Sequence, residues 1–127
     1  MKLLFSFVIL SFSILSTAFR SGPVTAPKNG IWRATLSRDN QKLPILLDIS
    51  KNADGKTYMV RIVNGTEKLN MDSAYFQNDS LVIPMMMFDA KIVAKSTGDK
   101  LKGTYYRYAN GAVAGSLPFE AEQGGRL

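Results

Sequence analysis

The amino-acid sequence predicts an all-β domain: a small antiparallel barrel or sandwich of about eight strands, joined in up-and-down order. Short runs of alternating apolar and polar residues recur along the chain, and turn residues separate them at intervals of about 8–12 residues. Asn64-Gly65 and Asn110-Gly111 mark two tight hairpins, because both residue types tolerate the positive φ of a type I′ turn. After residue 18, no segment keeps a helical period. Closing such a meander into a barrel would leave few exposed edges.

The alternating runs define eight or nine candidate strands. They cover residues 31–37, 43–50, 56–63, 67–71, 74–77, 80–87, 90–95, 100–108 and 112–122. Alternation within them predicts a core built from large side chains, namely Trp32, Ile45, Leu47, Val60, Ile62, Ile92, Leu101, Tyr105 and Phe119. Gly103 lies in mid-strand, which suits a sharply curved wall or a ring packed against the backbone. Pro84 cannot donate to a ladder, so its strand is expected at an edge or a bend.

The first 18 residues differ from the rest and have the pattern of a secretory signal. Lys2 supplies a positive charge, Leu3 to Leu15 is almost wholly apolar, and Ser16-Thr17-Ala18 supplies the small residues that signal peptidase needs. The apolar run is shorter than the roughly 20 residues of a membrane span, so a membrane anchor is the weaker alternative. We therefore expect four segments: a signal peptide at 1–18, an extended lead-in at 19–30, a β domain at 31–122 and the start of a linker at 123–127.

Composition excludes much familiar chemistry. The chain has no Cys and no His, so it cannot build a Cys-His pair, a Ser-His-Asp triad or a His-based zinc site. The aspartates fall mostly in or beside predicted turns, and their spacing shows no pair that converges in a cleft. The net charge of +6 comes from basic residues interleaved with acids, whereas nucleic-acid binders concentrate theirs on one face. We expect no enzyme activity from this chain alone, no cofactor, no metal site and no nucleic-acid partner.

The run Met85-Met86-Met87-Phe88, directly after Pro84, is the most unusual local feature. Methionine side chains are flexible and polarisable, and they suit adaptable contacts with an apolar ligand or partner. We therefore take Pro84, Met85, Met86, Met87 and Phe88 as the candidate contact surface. The alternative is that the run fills the core from a strand that is covered on both faces. The many aromatic residues pose the same choice, because they could line a ligand cavity or simply fill a small barrel.

Several fragments, taken in order, resemble a known domain. They are Gly30-Ile31-Trp32-Arg33-Ala34-Thr35-Leu36, Leu43-Pro44-Ile45, Ile62-Val63-Asn64-Gly65-Thr66-Glu67, Asp79-Ser80-Leu81-Val82-Ile83-Pro84-Met85, Phe88-Asp89-Ala90, Leu101-Lys102-Gly103 and Pro118-Phe119-Glu120-Ala121. Their order and spacing over residues 28 to 127 are similar to the N-terminal β domain that precedes the thioredoxin fold in exported TlpA-like disulfide reductases of Bacteroidetes-type bacteria. In that family the redox chemistry belongs to a Cys-x-x-Cys motif in the thioredoxin domain, and no residue of this chain can take that role.

The resemblance implies a non-catalytic accessory or binding module of an exported thioredoxin-like disulfide reductase system. The expected partners are a thioredoxin-fold domain or exported protein substrates, with membrane contact only through the uncleaved signal segment. The signal peptide predicts export, and the resemblance favours the periplasm over the alternatives of the cell envelope or secretion. The chain would be either a truncated N-terminal domain, since 123–127 is similar to the start of a linker, or a stand-alone relative. The alternative function is a stand-alone, lipocalin-like carrier of a small apolar ligand, which a sizeable apolar cavity open to solvent would support.

Overall fold

A computed structural model describes residues 24–124, and within this range the chain forms nine β-strands and no α-helix. The predicted signal peptide and the last three residues lie outside the described residues. The strands are β1 (Gly30–Arg38), β2 (Gln41–Lys51), β3 (Thr57–Asn64), β4 (Glu67–Asn70), β5 (Ala74–Gln77), β6 (Ser80–Met85), β7 (Ala90–Ser96), β8 (Lys100–Ala109) and β9 (Ala112–Gln123). A single 3₁₀ turn, Met86–Phe88, follows β6 and is called the methionine turn below.

The strands close into an antiparallel barrel, which confirms the predicted all-β fold in its barrel form. Eight strands form the wall in the order β1-β2-β3-β5-β6-β7-β8-β9, and β9 returns to pair with β1. Each pairing is antiparallel, so the chain runs up and down as the hairpin signals predict. β4 is an additional short strand that pairs with the second half of β3.

β4 and β5 share β3 as a partner, one after the other. Arg61 of β3 pairs with Asn70 of β4, whereas Tyr58 pairs with Ala74 of β5. The register therefore moves by one residue between the two strands, and a backbone hydrogen bond from Met71 N to Val60 O (2.8 Å) bridges the step. This one-residue step is equivalent to a β-bulge in the pairing along β3.

The barrel interior is filled by side chains from every wall strand. The largest fully buried ones are Trp32, Phe119, Leu47, Ile49, Leu81, Ile83, Ile92, Leu101 and Val60. Six of the nine predicted core residues are fully enclosed, while Ile45, Ile62 and Tyr105 are partly buried and pack against the core. These three lie toward one end of the barrel, where the wall is less complete.

The two ends of the barrel differ. At one end the lead-in packs across the strands: Lys28 N donates to Gly98 O at 2.8 Å, and Trp32 Nε1 donates to Lys28 O at 2.9 Å. Pro27 is buried there. The other end carries four connections: the β1–β2, β3–β4 and β8–β9 turns and the methionine turn with Asp89. We call this the open end, and both sites discussed below lie near it.

Candidate functional site

The structure separates the five residues of the candidate contact surface into two environments. Met85 ends β6 with its side chain buried in the core at 4 % exposure, and Pro84 is half-buried. Met86, Met87 and Phe88 are 65 %, 58 % and 45 % exposed. The predicted strand at 80–87 was two residues too long, because the chain turns at Met86. Three of the five predicted residues therefore present large apolar side chains to solvent.

The methionine turn is held by backbone hydrogen bonds. Asp89 adopts a left-handed conformation (φ 51°) and donates its N–H to Met86 O at 3.0 Å, which closes the turn. Tyr108 N donates to Asp89 O at 2.8 Å and ties the turn to β8. Apolar side chains are thus displayed by a turn with a defined shape, so less ordering is needed when a partner binds.

Pro84 explains why the strand stops here. Pairing between β5 and β6 ends at Tyr75 and Val82, so Pro84 lies beyond the last β5 pair. Because no β5 residue faces it, its lack of an N–H leaves no hydrogen bond of the ladder unmade. Met86, two residues later on the same side of the chain, donates its N–H to Asp72 Oδ2 at 3.0 Å. β6 is an inner strand of the barrel, but it has a local edge at Pro84, where a side chain replaces the neighbouring strand.

An open groove of about 430 Å³ runs along the outer wall beside the methionine turn. Its lining comes from β5, β6, β7 and the tip of the β8–β9 hairpin: Tyr75, Val82, Pro84, Met86, Asp89, Ala90, Lys91, Tyr108, Asn110 and Gly111. Val82 is only 4 % exposed although it does not belong to the core cluster. Since Leu81 and Ile83 point inward, Val82 points outward and forms a covered apolar floor for the groove.

The groove is mainly apolar and carries one cation at its wall. Lys91 Nζ lies 5.8 Å from the centre of the Tyr108 ring, a cation–π distance. Tyr75 borders the groove and is 40 % exposed. We call this cavity the outer-wall groove. Through Met86, its soft and aromatic side chains form a continuous surface with the methionine turn. Such a composition is typical of protein-binding surfaces.

Other charged clusters have structural explanations. Arg61 Nη2 lies 2.8 Å from Asp48 Oδ2, with Lys68 Nζ at 3.7 Å from the same oxygen, and this group links β2, β3 and β4. On the wall formed by β1, β8 and β9, Glu122 pairs with Arg33 at 3.9 Å and with Lys100 at 3.7 Å. Acidic and basic residues alternate there, so this wall lacks a uniformly basic face.

Residues 24–124 contain neither a cluster of metal ligands nor a helix that could span a membrane. No group of three or more Asp or Glu residues is placed to hold a metal ion there. Within the same range, no helix has the length and apolar character needed to cross a bilayer.

Comparison with known proteins gives no match. No family model, no curated protein and no solved structure is similar enough to this chain to be reported as a relative. The resemblance to TlpA-like accessory domains therefore rests on the sequence fragments alone, and it stays an expectation.

Sequence reasoning missed most of the groove. Tyr75, Val82 and Tyr108 belong to three different strands, and the pairing of β5, β6, β7 and β8 brings them together. One signal was available in the run Leu81-Val82-Ile83: if Leu81 and Ile83 face inward, alternation places the apolar Val82 on the outer face of the strand. The methionine run was found from the sequence because its composition alone is unusual.

Proposed function

We propose that this chain is a non-catalytic protein-binding module that engages an apolar segment of its partner through the methionine turn and the outer-wall groove. The observation that carries the proposal is the exposure of three consecutive large apolar side chains, Met86, Met87 and Phe88, in a hydrogen-bonded turn. Exposed apolar side chains that form a continuous patch usually mark an interaction site. The neighbouring groove extends that patch over an already covered floor.

The filled interior supports a binding module in preference to a carrier. Trp32, Phe119 and Leu47 are each at most 1 % exposed inside the barrel. A lipocalin-like carrier would hold its ligand in the space that these side chains occupy. The outer-wall groove is open to solvent along its length, which suits an extended or irregular segment of another protein.

We propose a thioredoxin-fold domain as the partner, in an exported system, in keeping with the resemblance to the TlpA-like accessory domain. The chain has no Cys, and thiol exchange needs a thiolate. Any redox step would therefore belong to the partner, while this chain would position the partner or its substrate.

The test is the affinity between the purified chain and a TlpA-like thioredoxin-fold domain, measured by isothermal titration calorimetry. Met86→Asp and Met87→Asp should each weaken binding about tenfold or more, because each places a charge in an apolar contact. Met59→Asp is the matched control: Met59 is 38 % exposed on β3 and does not line the groove. Its affinity should equal that of the original chain.

Circular dichroism and urea unfolding separate loss of binding from loss of fold. The proposal requires that Met87→Asp stay folded, since its side chain is 58 % exposed. Unfolding of Met87→Asp would place the methionine in the core and contradict the proposal. Equal weakening by Met59→Asp would show that the contact is not confined to the methionine turn.

A further inference from the structure

A second cavity lies inside the open end of the barrel, on the opposite face of the wall from the outer-wall groove. β1 and β9 pair only from Trp32 to Leu36, opposite Gln123 to Phe119. Beyond Leu36 the two strands diverge, while β9 continues to pair with β8 as far as the hairpin tip. The gap forms a cavity of about 310 Å³ lined by Arg38, Tyr105, Arg107, Gly115, Ser116 and Leu117. We call it the mouth cavity.

Two arginines reach this cavity from different strands. Arg38 continues the inward series Trp32, Ala34 and Leu36 on β1, and Arg107 follows Tyr105 on β8 with the same two-residue period. Arg107 pairs with Gly115 across the β8–β9 ladder. A Cβ atom at position 115 would lie 3.9 Å from Arg107 Nη2, so the guanidinium extends over a glycine that leaves it room.

The charge of the mouth cavity is largely uncompensated. Over residues 24–124, no ion pair within 4.0 Å involves Arg107. Arg38 has one weak partner, Asp39, at 4.0 Å, and the Asp39 side chain is 92 % exposed. A solvent-exposed pair of this kind is readily exchanged for a better acceptor. The cavity therefore offers two guanidinium groups to an anion.

Tyr105 and Leu117 supply the large apolar and aromatic surface of the cavity, beside the small residues Gly115 and Ser116. Tyr105 and Leu117 are partly buried and pack against the barrel core. Guanidinium groups match the two oxygens of a carboxylate with parallel hydrogen bonds, and the apolar lining would contact the group that carries the carboxylate. A cavity of this volume is at the lower end of the range for small-molecule sites.

We propose that the mouth cavity binds a carboxylate carried on a small apolar group, with Arg107 and Arg38 contacting the carboxylate and Tyr105 and Leu117 contacting the apolar part. The two natural sources of this chemistry are a free small organic acid and the C-terminal carboxylate of a peptide. This inference rests on the mouth cavity alone and does not depend on the proposed protein-binding function.

Benzoate is the first probe, titrated at constant low salt and followed by calorimetry and by chemical shifts of the Tyr105 and Arg107 resonances. Benzyl alcohol, its neutral counterpart, should bind at least tenfold more weakly. Arg107→Gln should weaken benzoate binding about tenfold or more, and Arg107→Lys should weaken it less, because it keeps the charge but loses the planar fork. Lys102→Gln removes the same charge from the outer wall, away from the mouth cavity, and should leave the affinity unchanged.

The second probe distinguishes the two sources. N-acetyl-Ala-Leu with a free carboxylate is compared with its C-terminal amide and with benzoate. Tighter binding of the dipeptide acid than of benzoate assigns the site to peptide C-termini. Tighter binding of benzoate assigns it to free acids. Either order supports a carboxylate site. The inference is overturned if neither acid binds, if benzyl alcohol or the amide binds equally well, if Arg107→Gln binds benzoate unchanged, or if Lys102→Gln weakens binding as much as Arg107→Gln.

Discussion

Gly103 shows how much one missing side chain matters in this barrel. It lies in the middle of β8, opposite Ala94 of β7. A Cβ atom there would come within 2.0 Å of Val93 O and 2.5 Å of Ala94 Cα. Both obstacles are backbone atoms, which cannot rotate away as the end of a side chain could. From the sequence, the mid-strand glycine predicted a sharply curved wall or a ring packed against the backbone. The structure shows that the atoms closest to this position belong to the β7 backbone and not to a ring.

We expect Gly103→Ala to destabilise the fold by about 3 kcal/mol, because the added methyl group can be accommodated only by moving β7. Gly115→Ala is the matched control, since the nearest atom to its Cβ would be Arg107 Nη2 at 3.9 Å. Its free energy of unfolding should change by less than about 0.5 kcal/mol. Urea unfolding followed by Trp32 fluorescence measures both values, and equal stability of the two variants would contradict the account of β7 and β8 packing.

Burial of single residues could be predicted where the barrel is complete. Trp32, Leu47 and Phe119 follow simple alternation and are enclosed as expected. Ile45 and Tyr105 obey the same alternation but are only partly buried, because they lie toward the open end. Alternation predicts whether a side chain points into the barrel. Its exposed fraction also depends on where neighbouring strands diverge, which only the closed sheet determines.

At the scale of elements, turn chemistry was the most informative part of the sequence. Asn110 and Gly111 adopt positive φ values of 54° and 81°, as the predicted type I′ turn requires. At the other Asn-Gly pair only Gly65 does (66°), because Asn64 ends β3 and pairs with Glu67, which leaves Gly65 and Thr66 as the turn residues. The methionine turn was not predicted, because it depends on a long-range contact between Asp72 Oδ2 and Met86 N. Pro84 indicated a bend or an edge, and the structure shows a local edge within an inner strand.

The β2–β3 loop has a polar network that predicts an acid-sensitive contribution to the stability of the fold. Asp54 Oδ1 accepts hydrogen bonds from Lys56 N at 2.8 Å and Thr57 N at 2.9 Å, and Oδ2 accepts from Thr57 Oγ1 at 2.8 Å. These bonds favour the ionised form and lower the pKa of Asp54 below its ordinary value of 3.8. A lowered folded-state pKa stabilises the fold above the unfolded-state value, and this contribution is lost as pH falls through the folded-state pKa.

Asp54→Asn should therefore be less stable than the original chain at neutral pH, and the difference should shrink as the pH falls below 3.8. Urea unfolding at several values between about pH 7 and about pH 2.5 measures this difference. A gap in unfolding free energy that stays constant over the whole range would show that the carboxylate does not supply the linkage.

At the scale of the whole molecule, the order of the strands could be predicted from the sequence, whereas the β1–β9 pairing that closes the barrel could not. Successive hairpins predicted the up-and-down order of the barrel. The β1–β9 pairing joins residues far apart in the chain, from Leu36 with Phe119 to Trp32 with Gln123, and no local signal encodes it. The mouth cavity depends on this long-range geometry, because it lies where β1 and β9 diverge. The outer-wall groove depends on the pairing of the successive strands β5 to β8.

The methionines themselves provide the most direct test of the protein-binding proposal. The five methionines in the described part of the chain have three environments: Met86 and Met87 lie in the methionine turn, Met59 is exposed on β3, and Met71 and Met85 are buried. With ¹³C-methyl methionine labelling, each methyl group gives its own NMR signal. A TlpA-like thioredoxin-fold domain is titrated into the labelled chain, and the shifts of the five signals are compared. We predict that the Met86 and Met87 signals shift or broaden while the Met59 and Met71 signals stay in place. Unchanged Met86 and Met87 signals, or an equal response at Met59, would contradict the proposed contact surface.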